Sequence, residues 1–117
     1  MKKILAGIIV AVMVMGLAGT VFAADWPTGT VNVVLPYGAG GDTDTYCRQL
    51  FQRVSKITGQ TFVVINQQGG SGIVAAMDVM NKPNNGYTLL FNHTGAALVQ
   101  EATGMVNFSY TKDFENC

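Results

Sequence analysis

The residues with chemistry to offer fall into three short stretches. The first is Tyr37-Gly38-Ala39-Gly40-Gly41 with Thr43 and Asp44 just behind it, the second is Gln67 to Gly72 (QQGGSG), and the third is Asn92-His93-Thr94-Gly95. Glycines at a strand-to-helix turn let the backbone approach a ligand closely and aim N–H groups at it, and a helix N-terminus adds partial positive charge. An anion, carboxylate or phosphate, is the ligand such loops suit. The plain alternative is that the glycines serve only tight turns and helix packing. Two such loops plus a third bearing a hydroxyl favour the anion site.

Other chemistries fit less well. A dinucleotide fingerprint needs G-x-G-x-x-G, but counting from Gly38 the third glycine is replaced by Thr43, and Asn66 stands where a ribose-binding acid is expected. No Gly-Lys-Ser/Thr follows, so there is no phosphate loop of the Walker type. His93 has no serine or cysteine in a nucleophile elbow. Asp42 and Asp44 are explained by a helix start, where Asp42 or Thr43 is the expected cap and Asp44 sits in the first turn. No C-x-x-C or second histidine accompanies His93, so neither a metal nor a cofactor is expected. Cys47 and Cys117 would form one disulfide in an oxidising compartment, but a buried thiol plus an unrelated terminal one is the preferred reading.

These stretches sit behind recognisable elements. Thr30 to Tyr37 (TVNVVLPY) reads as a buried strand running into a loop at Pro36, and Thr61 to Asn66 (TFVVIN) and Tyr87 to Phe91 (YTLLF) repeat the signal. Between them, Tyr46, Leu50, Phe51, Val54 and Ile57 form an apolar stripe at helical spacing that Gly59 ends. A weaker helix spans about Ile73 to Asn81, with Val74, Met77, Val79 and Met80 as its apolar surface. The sequence of elements is βαβαβ, an α/β unit with a parallel sheet and flanking helices. All three chemical stretches then follow strand ends and fall on one rim, where open α/β sheets bind ligands. Ala96 to Ala102 suits a short helix, and Met105 to Cys117 looks irregular.

Composition sets the compartment. Of 117 residues, 49% are hydrophobic and 12% charged, with seven basic and seven acidic residues. Lys2 and Lys3 precede an uncharged run from Ile4 to Val21, followed by small residues, which is the layout of a secretory signal peptide with cleavage after Ala23. Gly7, Gly16 and Gly19 and the small-residue exit favour cleavage over a spanning helix. Residues 24–117 then carry five basic residues against seven acids. That balance, with only Arg48, Arg53 and Lys56 clustered, argues against nucleic-acid binding.

Trp26-Pro27-Thr28, then Val33 to Gly41 (VVLPYGAGG) with Asp44 behind it, resembles the opening of Bug-type receptors, the periplasmic substrate-binding proteins of tripartite tricarboxylate transporters. The similarity continues through Val63-Val64-Ile65-Asn66 with Gly69, Gly70 and Gly72, through Gly86-Tyr87-Thr88-Leu89-Leu90, and into Lys112-Asp113-Phe114. The resemblance implies the first lobe of a type II periplasmic-binding-protein-like fold. It also implies a non-enzymatic protein that captures a small organic carboxylate and delivers it to membrane permease subunits. Ligand contacts are expected from Tyr37, Gly38, Ala39, Gly40, Gly41, Thr43 and Asp44 in the first loop, Gly70 in the second, and His93 and Thr94 in the third. Gln67-Gln68 stands where the family commonly has Arg-Pro, and His93 replaces a usually small residue. Family members are much longer, so residues 24–117 are expected to be the first part of a receptor, truncated before its second lobe. An exported enzyme using His93 as base, and an interaction module with no ligand, are the rival readings.

Overall fold

The computed structural model describes residues 26–115 and Cys117. The signal peptide assigned to residues 1–23 lies outside the described residues. The described chain forms strand β1 (Val31–Leu35), helix α1 (Asp42–Thr58), strand β2 (Phe62–Asn66), a single 3-10 turn at Gly70–Gly72, helix α2 (Ile73–Met80), strand β3 (Thr88–Leu90) and helix α3 (Thr94–Ala102). The sheet runs β2-β1-β3 with both pairings parallel, placing Val33 opposite Val64 on one side and Leu89 on the other. This is the βαβαβ unit that the alternation of strand and helix signals predicts.

Central strand β1 is buried because it is covered on both faces. Val33 and Leu35 point to one side, where Cys47 and Phe51 of α1 meet Phe62, Val64, Leu89 and Phe91. Val34 turns to the other side, where α2 and α3 lie, with Ala76, Ala97 and Tyr110 gathering Leu90, Val106, Phe108 and Phe114. Each fully buried aliphatic side chain contributes about 1.5–3 kcal/mol relative to exposure. The segment after α3 has neither helix nor strand, as its sequence suggests, yet its aromatics close this second cluster. At the other end, the Thr28 N–H donates to the Tyr87 hydroxyl at 3.1 Å, strapping residues 26–28 to the start of β3.

Three local expectations are corrected. Neither Asp42 nor Thr43 caps α1: Gly41 occupies the N-cap position and no side chain bonds there, because the Asp44 carboxylate reaches back to the loop instead. The stripe on α1 is also split. Cys47, Phe51 and Val54 turn inward, whereas Tyr46 and Ile57 are 64% and 84% exposed. On α2 the inward residues are Ala75 and Ala76, and Val74, Met77 and Met80 face outward, because only small side chains let this short helix lie close to the sheet. The C-terminal limit of α1 is as expected, with Gly59 at φ 69° donating its N–H to the Ser55 carbonyl. No helix among the described residues is long and apolar enough to cross a membrane.

Candidate ligand-binding site

The three loops meet at the carboxyl ends of β1, β2 and β3. Tyr37 leaves β1 and lays its ring against His93, with centroids 4.9 Å apart. Its hydroxyl donates to Asn92 Oδ1 at 2.8 Å, and the His93 N–H donates to the same oxygen. Two donors on one oxygen fix the orientation of the Asn92 amide. Thr43 Oγ1 and His93 Nε2 share a hydrogen bond of 2.9 Å, so the start of α1 is tied to the entry of α3. Asn92 belongs to the third stretch named from sequence but was not among the expected ligand contacts; its signal was a polar side chain directly after a buried strand.

Beneath the first loop lies a charged network. Asp44 is buried, and its carboxylate accepts from the Gly40 N–H at 2.9 Å, from Arg48 Nε at 3.0 Å and from Asn66 Nδ2 at 2.9 Å. Arg48 also donates to Asn66 Oδ1, and Asn66 donates to the Tyr37 carbonyl. One aspartate thereby joins α1, the end of β2 and the first glycine loop. The Arg48 bonds, helped by those from Gly40 and Asn66, hold the Asp44 carboxyl down to about 2 from an ordinary 3.8. A carboxyl whose folded value is depressed adds stability above its unfolded value and loses it as pH falls towards the folded one. Acid titration followed by circular dichroism is therefore expected to show stability lost between about pH 4 and about pH 2. Asp44→Asn should be less stable at neutral pH and lack that acid-dependent component. A variant as pH-dependent as the parent in that window would remove Asp44 from the account.

The second loop takes an unusual backbone path. Gly69, Gly70, Ser71 and Gly72 all have positive φ, at 139°, 51°, 56° and 98°. A cleft of about 470 Å³ lies between this loop and the first, lined by Pro36, Tyr37, Gly38, Gln68, Gly69, Ser71, Gly72 and Ala96. None of these side chains is charged. The loops approach so closely that a Cβ on Gly38 would sit 2.8 Å from Gln68 Nε2, and one on Gly72 would sit 3.1 Å from Pro36 Cβ.

The residues expected at the site divide into groups. Tyr37 and Gly38 line the cleft, whereas Ala39, Gly40 and Gly41 form the exposed crest of the first loop. The Gly40 amide is engaged by Asp44, and the Gly41 carbonyl accepts the first α1 bond from Thr45. Thr43 and His93 face each other, Thr94 is exposed at the first turn of α3, and Gly70 lies against Ile73 and Val74. Asp44 is a support beneath the loop, its oxygens taken by chain partners. Gln68, Ser71 and Ala96 line the cleft but were not among the expected ligand contacts, although Gln68 and Ser71 lie in the second stretch named from sequence. A threonine hydroxyl against an imidazole is half of a nucleophile–base pair, but His93 has only Thr43 as a side-chain hydrogen-bond partner among the described residues. Cys47 is a free thiol in the core, pushed up to about 11 mainly by burial, and Cys117 is free and exposed. Among the described residues no cluster of three potential metal ligands occurs.

With this geometry in place, comparison with known proteins gives a consistent result. No family model matches the chain. The protein BugT of Bordetella pertussis is 29% identical over 110 residues, covering 94% of this chain and 34% of BugT. A crystal structure of a TctC solute-binding protein from Polaromonas superposes with a TM-score of 0.68 at 28% identity, over 74% of this chain and 30% of that one. MatC from Rhodopseudomonas palustris, solved with bound malate, superposes at 0.69 with 32% identity, over 76% of this chain and 31% of MatC. The chain thus spans about a third of the length of these proteins. The resemblance carried by the glycine loops is one of sequence and of fold together: homologues of this chain are Bug and UPF0065 proteins, and its structural neighbours are TctC- and Bug-type solute-binding proteins.

Proposed function

We propose that the chain is the first part of an extracytoplasmic solute-binding protein that takes up a small organic carboxylate and hands it to the permease of a tripartite tricarboxylate-type transporter. The observation carrying this reading is the uncharged cleft between two glycine loops at the carboxyl ends of parallel strands. An uncharged rim at strand-to-helix turns suits a carboxylate, since helix starts and neutral donors favour an anion there. Tyr37 and Gly38, which line the cleft, are assigned to the ligand; Gly70, His93 and Thr94 are rim residues outside that lining, and Ala39 to Gly41 and Thr43 shape the crest. Malate in MatC supports the ligand class. The homologous binding proteins support a periplasmic location after removal of residues 1–23, and a non-catalytic role.

One rim supplies only part of an enclosing site, so affinity is modest. Malate is expected to bind with a dissociation constant of about 1 mM, or about −4 kcal/mol. At about 10 mM it should stabilise the fold by about 1.4 kcal/mol. Calorimetry and thermal unfolding with malate measure both. A folded chain that shows no saturable binding up to tens of millimolar overturns the proposal. Turnover of malate that disappears in His93→Ala would instead establish an enzyme.

A further inference from the structure

The second loop holds Ser71 at φ 56° and ψ 27°, a left-handed conformation that residues with a side chain avoid, so something outside the loop must fix it. The group that reaches it comes from α3. Gln100 is a polar residue only 3% exposed, and its Nε2 donates to the Ser71 carbonyl at 2.7 Å. Its Oε1 accepts the Tyr110 hydroxyl at 2.7 Å. Tyr110 is in turn buried, stacked on Phe114 and edge-on to Phe108, and its N–H donates to Glu101. A glutamine is the side chain that donates at one end and accepts at the other without charge, and here both ends are used.

We infer that Gln100, anchored by Tyr110, is a positioning residue that locks the second glycine loop in its left-handed course and so sets the cleft wall formed by Gly69, Ser71 and Gly72. The inference rests on the proposed binding role of that cleft for the consequence it has on affinity, but not for the lock itself. The irregular segment after α3 thereby acquires a role at a rim to which it contributes no lining residue. A carboxylate at position 100 cannot donate to the Ser71 carbonyl; once protonated, it regains a donor and keeps an acceptor.

Three variants of the full chain test this: Gln100→Leu, Gln100→Glu and Tyr110→Phe, the last keeping the ring stack. Hydrogen exchange is read in peptides covering residues 69–73 and, as control, 31–35, and malate affinity is read by calorimetry. At pH 7 both Gln100 variants are expected to exchange about tenfold faster in 69–73, with 31–35 unchanged and malate affinity about tenfold lower. Tyr110→Phe should move both readouts in the same direction by less. At pH 4, Gln100→Glu should recover the protection of the parent at that pH, whereas Gln100→Leu should not. Unchanged exchange in 69–73, an equal rise in 31–35, or no recovery at pH 4 would each overturn the lock. If malate fails to bind the parent while exchange behaves as stated, the lock stands and the carboxylate reading falls.

Discussion

Gly72→Ala is expected to lower stability by about 2–3 kcal/mol, because it combines backbone strain with a steric conflict. The residue sits at φ 98°, where an alanine is strained whatever space surrounds it. Its new methyl would also lie 3.1 Å from Pro36 Cβ and 3.5 Å from Pro36 Cγ, atoms of a buried ring at the end of β1. Neither side yields cheaply. Gly38→Ala makes the useful contrast, since its methyl meets the far end of the flexible Gln68 side chain, which swings away. That variant should stay within about 0.5 kcal/mol of the parent while displacing Gln68 from the cleft. Urea unfolding of both variants measures the difference. Equal stability of Gly72→Ala and Gly38→Ala would mean that the second loop relaxes freely and that its approach to Pro36 is incidental.

Leu35→Ala is the other substitution with a large expected effect, about 2–5 kcal/mol. Leu35 is fully buried in the cluster with Val33, Cys47 and Phe51, so truncation leaves a cavity where the sheet and α1 meet. Domains of this size are stable by only about 5–15 kcal/mol, so the loss is a large share of the total. The effect extends to the rim, because the Leu35 carbonyl accepts from the Gln67 N–H at 2.8 Å and thereby holds the start of the second loop. Leu98, 52% exposed on α3, is the control, and its change to alanine should cost less than about 1 kcal/mol. Urea midpoints for the pair decide the matter. A Leu35→Ala protein no weaker than Leu98→Ala would show that the sheet does not depend on this cluster.

Much of the architecture could be read from local signals. The β-branched runs at Val31–Leu35 and Phe62–Asn66, punctuated by Pro36 and by two groups of glycines, specify strand, loop and helix in order, and parallel pairing follows from the length of the crossovers. Which face of α1 turns inward was less legible. Hydrophobic spacing favoured Tyr46, Leu50, Phe51, Val54 and Ile57, but Asp44 is drawn inward by bonds to Gly40, Arg48 and Asn66, so Cys47 turns inward with Phe51 while Tyr46 and Ile57 are left outside. The same holds at the site. Glycine loops announce themselves by composition, whereas Asn92 and Gln100 act through partners far along the chain, Tyr37 and Ser71, and an amide side chain gives no local sign of such a partner.

The central place of β1 has a consequence in time. This strand is the first of the three to be synthesised, yet both of its partners come later, β2 after a whole helix and β3 after two. Contacts between residues so far apart close slowly, since chain entropy is lost before pairing repays it. A nascent chain that has reached Asn66 has only the first of the three loops and one side of its sheet. The cleft is completed only when Thr88–Leu90 docks and α3 brings Ala96 and Gln100 to the second loop, so binding competence is the last property this segment acquires as it is made.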